Sequence, residues 1–156
     1  VAQMPPAAHH RQVHAGQPVL LRQAANAVYT AAELYQGAER AEVLAMAERM
    51  LRTAVKGSDP GKGRKDELHA LCQFELANVL CRQKRFDQAA PLYRESVAGT
   101  ADRGTKALRN RNLVECLKNL HSLAEARAVL EEIIRSNDAN VGPWAKAELA
   151  KLGPSP

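Results

Sequence analysis

Two stretches of this chain lie over one another without a gap. RQKRFDQAAPLYRESV (Arg82 to Val97) and NLHSLAEARAVLEEII (Asn119 to Ile134) share a large apolar residue (Phe86, Leu123), a small one three later (Ala89, Ala126), and a large one four further on (Tyr93, Leu130). Each ends on a pair closed by a branched residue, Ser96-Val97 and Ile133-Ile134. The last part of the pattern recurs earlier as Ala47, Leu51, Ala54 and Val55. Spacings of three and four residues belong to a helix face. A repeated helical unit cannot bury that face alone, so it stacks on its own copies. An alanine at a fixed rung marks where two helices cross closely, because a larger side chain there would force them apart.

The rest of the chain reads as helix too. Val19, Leu20, Ala24, Ala27, Val28, Ala31, Ala32 and Tyr35 keep helical spacing after Pro18, which suits a first turn, and Gly37 interrupts them. Val43 to Val55 form a second run, with Gly57 expected as its C-cap. Residues 58–65 (SDPGKGRK) read as loop. A third helix is expected from about Asp66 to Leu80, a turn at Gln83-Lys84-Arg85, and a fourth from Phe86 to Gly99. After a loop over 100–104, a fifth carries Leu108, Leu113, Val114, Leu117 and Leu120. His121-Ser122 turn the chain, with Ser122 expected to cap a sixth helix through Ile134, and Pro143-Trp144 open a seventh that ends near Leu152. Aromatic residues are only 4%, and Ala, Leu, Glu, Arg and Lys dominate, which disfavours a β-sandwich or barrel. With 156 residues, the chain can bury roughly 68–70% of its unfolded surface and needs no disulfide or metal staple.

The hairpin pattern resembles the tetratricopeptide repeat, a 34-residue unit of two helices. The large-small pair expected in its first helix is met well by Leu76-Ala77 and less well by Leu113-Val114. Counting on from Ala126, the repeat's signature tryptophan falls on Trp144, and Asn137-Asp138 fill the turn between units. The spacings of 42 residues from Ala47 to Ala89 and 37 from Ala89 to Ala126 exceed the ideal period, so loops are inserted between hairpins. Gln73 and Asn110 stand where the family prefers an aromatic. The expected fold is all-α: an α-solenoid of about three antiparallel hairpins with a C-terminal capping helix. Residues 1–17 are expected as a flexible leader, 18–152 as the repeat domain and 153–156 as a tail.

Catalytic chemistry finds little support. Cys72, Cys81 and Cys116 have no Cys-x-x-Cys spacing and sit among apolar helical residues, so buried, inert thiols are expected. His9, His10 and His14 have no regular helix to fix them around a metal, and no metal or cofactor is expected. GKGRK at 61–65 lacks the phosphate-loop pattern and a preceding strand. No nucleophile and base, and no paired carboxylates, stand at persuasive spacing. The expected function is therefore non-enzymatic.

The resemblance implies that the first helix of each hairpin lines a concave groove for a partner segment. By the repeat's spacing that groove takes Leu71, Phe74, Asn78, Cys81 and Arg82, then Leu108, Arg111, Asn112, Glu115, Lys118 and Asn119, then Lys146. Some family members clamp a C-terminal carboxylate with two asparagines and several cations. Asn78, Asn112 and Lys146 match three of those five positions, while Phe74 and Gly142 replace lysines.

A second expectation follows from charge. The net charge is +5, and no Asp or Glu occurs from Val1 to Ala32, so the N-terminus resembles the tail of an organellar transit segment. Cations cluster as Lys62/Arg64/Lys65, as Arg82/Lys84/Arg85, and as Arg103/Lys106/Arg109/Arg111. Such a patch would suit an accessory subunit of a large assembly such as a ribosome or membrane complex of a mitochondrial or other organellar interior, the alternative compartment being cytoplasmic, with RNA or acidic protein as partner. The blander account is a solvated face balanced by neighbouring acids, and scarce aromatics weaken base-stacking recognition of RNA. No stretch approaches the length of a membrane span.

Overall fold

The computed structural model describes residues 6–62 and 64–153, with side chains from Gln17 onward. Among these are seven α-helices and no strand: α1 (Pro6–Ala31), α2 (Gly37–Ser58), α3 (Glu67–Arg82), α4 (Phe86–Gly99), α5 (Arg103–Asn119), α6 (Leu123–Ser136) and α7 (Gly142–Lys151). A short 3-10 turn, Ala32–Leu34, leads out of α1. Each helix packs on the next in the chain, and α1 also reaches α3. The result is an all-helical, repeat-like architecture of consecutive pairs. No described helix is long and apolar enough to cross a membrane.

The two self-similar segments fold alike, down to single hydrogen bonds. After α3, Lys84 takes a left-handed conformation (φ 60°), its N–H donates to Cys81 O (2.9 Å), and Arg85 N–H donates to Leu80 O (2.9 Å). After α5, His121 takes φ 57°, donating to Lys118 O (3.1 Å), and Ser122 N–H donates to Leu117 O (2.9 Å). Both are Schellman turns, which satisfy the orphan carbonyls of the last helical turn. Neither has the usual glycine. Ser122 stands at the N-cap of α6, but its side chain makes no cap bond. Its backbone (φ −83°, ψ 61°) already closes the preceding turn and lies outside the extended region a capping side chain needs. Asp66 and Asp102 do cap, accepting from His69 N (2.9 Å) and Thr105 N (2.6 Å).

Ala47, Ala54, Ala89 and Ala126 are all fully buried, as the close-crossing argument requires. They surround a core of Leu51, Leu76, Leu80, Val114, Leu117, Leu130 and Ile133. Trp144 is half-buried against the same core, so α7 covers the end of the last pair. Leu123, the counterpart of half-buried Phe86, is exposed at the start of α6. The α3–α4 crossing is close at Gly99, where an added Cβ would lie 2.8 Å from Ala70 Cβ. Beside it Ser96 Oγ donates to Ala70 O (2.7 Å).

Two expectations need correction. Residues 6–17, read as leader, have helical backbone: α1 begins at Pro6 and runs through Pro18 without a break. Pro6 suits a first helical position, and the segment holds no Ser, Thr, Asn or Asp to draw the backbone into turns. Pro18 is buried in the α1–α2 contact, where its Cγ would lie 3.1 Å from a Cβ at Gly57. That explains the second correction. Gly57 does not cap α2, which continues to Ser58; its missing side chain makes room for Pro18. Residues 1–5, Gly63 and 154–156 lie outside the described residues, as do the side chains of His9, His10 and His14.

Candidate functional site

Side chains from the first helix of each pair meet in a row across the stack. At one end, the Arg82 guanidinium lies over the Tyr29 ring (5.3 Å) and pairs with Glu33, which tie α3 to α1 and the turn after it. Next, Asn112 Nδ2 donates to Asn78 Oδ1 (3.1 Å), linking α5 to α3, while Tyr93 Oη donates to the same oxygen (2.7 Å). At the far end, Arg111 stacks over Trp144 (5.1 Å), and Lys118 Nζ bonds Glu148 (2.8 Å), joining α5 to α7. Six of the residues expected to line a groove, Asn78, Arg82, Arg111, Asn112, Glu115 and Lys118, therefore do lie on these facing helices and make these contacts or border them.

The remaining expected groove residues divide. Leu108, Asn119 and Lys146 are exposed, Leu71 is half-buried, and Asn119 Nδ2 donates back to Glu115 O (2.8 Å). Phe74 is used in packing: it meets Tyr93 edge-on (centroids 5.8 Å) and lies beneath the Arg109 guanidinium (5.7 Å). Asn78 Oδ1 carries two hydrogen bonds, leaving its Nδ2 as the group free to donate among the described residues. That amide can offer two N–H groups to a partner carbonyl or carboxylate.

The basic groups do not form one patch. Arg109 is the clear correction: it is 3% exposed, donates to Ser96 O (2.9 Å), and pairs with Glu67. Its place on the inner face of α5, beside the Asn110 that fills an expected aromatic position, makes it a structural guanidinium rather than a surface charge. Arg64 and Lys65 border a cleft of about 290 Å³ with His69 and Glu95, between the start of α3 and the end of α4. Lys84 and Arg85 border a different cleft with Arg40 and Arg82. Lys62 and Arg103 are exposed and Lys106 is half-buried.

Several groups titrate away from their ordinary range. Hydrogen bonding from Lys118, and then from Lys151, holds the Glu148 carboxyl below it, and the same bond raises Lys118. Burial pushes Glu75 up against the opposing pull of Arg22, whose Nη1 lies 2.7 Å away. Cys72 and Cys116 are buried, as expected for inert thiols. Cys81 departs from that expectation. It is half-buried, and the neighbouring Cys116 thiol lowers its pKa to about 7 against the opposing effect of burial, with Tyr93 Oη 3.5 Å from its Sγ; Cys116 Sγ itself donates to Phe86 O (3.2 Å). Sequence spacing could not pair these thiols, because they sit on different hairpins.

Sequence reading missed Tyr29, Glu148 and Arg40. A tyrosine on α1 reads as core, and a glutamate near the end of α7 reads as surface; only the stacking of helices brings them to α3 and α5. No family model matches this chain, and neither a curated protein nor a solved structure matches it.

Proposed function

We propose that this chain is a non-enzymatic interaction module of tetratricopeptide type, which docks an extended partner segment along the first helices of its hairpins. The observation that carries the reading is the repeated geometry: two turns with the same hydrogen bonds, at positions that the self-alignment pairs, present Asn78 and Asn112 as touching neighbours on α3 and α5. Stacked hairpins of this kind offer a continuous face rather than a closed pocket. Along that face, exposed Leu108, Arg111 and Lys146 would supply apolar contact and charge, and the free Asn78 amide would hold a backbone carbonyl or carboxylate.

The test uses Leu108→Glu combined with Lys146→Glu, since both side chains are exposed and their change should leave the fold intact. Tagged wild-type and variant chains are used to recover partners from the native source, with circular dichroism as a folding control. Loss of the wild-type partners from the folded variant is the expected result. Their full retention would refute docking on this face.

A second reading, favoured by exposed Lys62, Arg64, Lys65, Lys84 and Arg103, is an accessory subunit of a large assembly, an organellar one in keeping with the acid-poor N-terminus. Those cations would meet RNA phosphates or acidic protein without sequence preference. Salt-sensitive recovery of RNA that survives the Leu108/Lys146 change would favour it.

A further inference from the structure

At the Arg82 end of the row just described, a cleft of about 620 Å³ opens where the start of α2 faces the α3–α4 turn. Its charged lining is Arg40, Arg82, Lys84 and Arg85, without an acidic residue. Its apolar floor is Leu44, beside Ala41. Leu34 (84% exposed) and Tyr35 stand in the chain just before Gly37, which itself lines the cleft. The volume lies in the range of sites that take a side chain or small ligand.

The geometry points to this cleft as a docking site for an acidic peptide segment that carries an apolar anchor residue between carboxylates. Charge complementarity selects the carboxylates. Glu33, itself about half exposed, pairs with Arg82 and lies 3.9 Å from Arg40, and Glu48 pairs with both Arg85 (2.7 Å) and Arg52 (2.7 Å), so at most two of the four positive charges are balanced. Lys84 makes no ion pair among the described residues and is exposed on a left-handed turn. What remains is a moderate positive excess over an apolar floor. Spaced carboxylates match such a rim, and a leucine or phenylalanine between them would reach Leu44 and Ala41. A dense run of phosphodiesters would instead leave the apolar floor unfilled. The planar guanidinium of Arg40, 3.9 Å from Glu33, suits bidentate contact with a carboxylate, whereas those of Arg82 and Arg85 are engaged by Glu33 and by Glu48, Gln83 and Gln88 and contribute mainly charge.

The probe is a fluorescein-labelled EDLFDE peptide with blocked ends, so that no terminal carboxylate is present. Binding to the full chain is read by fluorescence anisotropy at about 50 mM salt, where surface charges are weakly screened. Lys84→Gly should weaken binding about 2- to 5-fold, the effect of one exposed ion pair. Arg40→Glu with Lys84→Glu should weaken it more than about tenfold, as attraction turns to repulsion at two positions. Because glycine accepts the left-handed turn better than lysine, Lys84→Gly loses charge without loss of stability. An EDSSDE peptide should bind more weakly than EDLFDE. Unchanged affinity in both variants would overturn the proposal, as would equal binding of EDSSDE or full displacement by an oligouridylate of equal charge. Loss of EDLFDE binding in Leu108→Glu/Lys146→Glu, with both cleft variants unaffected, would place the peptide on the α3–α5 face and overturn it as well. The cleft proposal can fail while the face proposal stands, and the reverse.

Discussion

Gly99→Ala tests whether the close crossing of α3 and α4 is what the small-residue pattern encodes. Near the end of a helix, alanine for glycine would ordinarily add up to about 0.5–1 kcal/mol of stability. Here the new Cβ would sit 2.8 Å from Ala70 Cβ, with Ala70 Cα at 3.7 Å. Carbon atoms prefer about 3.5–4.0 Å, so about an ångström of overlap must be relieved. An alanine has no rotamer with which to move aside, so the helices must separate. The hydrogen bond from Ser96 Oγ to Ala70 O, one turn away, would be strained with them. Overpacking of this kind costs about 1–3 kcal/mol. Set against the helical gain, the expected net loss is about 0.5–2 kcal/mol. For a chain of this size each kcal/mol lowers the melting temperature by about 2–4 °C. Urea unfolding followed at 222 nm, with unchanged slope as the two-state check, measures it. The decisive comparison is a double-mutant cycle with Ala70→Gly. Alone, that change costs about 1 kcal/mol in a helix interior. Combined with Gly99→Ala it removes the clashing methyl, so the pair should show a favourable coupling on the order of 1–3 kcal/mol. A Gly99→Ala chain at least as stable as wild type, or strictly additive losses, would refute the reasoning.

Lys84→Gly and His121→Gly should each stabilise by about 0.5–1 kcal/mol, because a left-handed residue with a side chain costs about 1–2 kcal/mol and glycine returns part of that to unfolded-state entropy; destabilisation of either in urea would contradict the Schellman assignment. Arg109→Met should cost about 1–3 kcal/mol by leaving Ser96 O and Glu67 without their partner, a loss that a surface arginine would not show. Glu148 has a lowered folded pKa, so its bonds with Lys118 and Lys151 contribute stability above the reference value of 4.5 and lose it as pH falls through the folded pKa. The urea midpoints of wild type and Glu148→Gln should therefore differ at pH 7 and converge once the pH has fallen below the folded pKa; a pH-independent gap would sink the assignment. Alkylation of Cys81 by iodoacetamide should reach half its maximal rate near pH 7 and move to higher pH in Cys116→Ala, and an identical profile in both would exclude the influence of Cys116.

The helices were legible because their signals are local. Apolar residues three and four apart, Asp66 ahead of a helix, and a basic turn between Arg82 and Phe86 all act within a few residues. The gapless alignment of Arg82 to Val97 with Asn119 to Ile134 told more, because it implied matching turns, and the hydrogen bonds of Lys84 and His121 match. The misreadings have a common cause. Pro18 and Gly57 are usual breakers, yet each is accommodated by the other across the α1–α2 contact. Arg109 carries the charge of a surface residue but falls on the inner face of α5, where Ser96 O and Glu67 receive it.

The candidate site was legible only in part. The repeat's spacing named Asn78 and Asn112, and these do touch. It could not find Tyr29, Glu148 or Arg40, which come from the outer pairs and act on α3 and α5 only through stacking.

The order of hydrophobic and small residues along the chain is enough to determine an all-helical repeat-like architecture, since each helix and turn answers to its own few residues. Which polar groups become neighbours depends on how far and at what angle each pair is offset from the next. That offset is a property of close-packed surfaces many residues apart, so it was decided only when the helices came together. The Arg40–Lys84 cleft, the Cys81–Tyr93 contact and the buried Arg109 all belong to that second level.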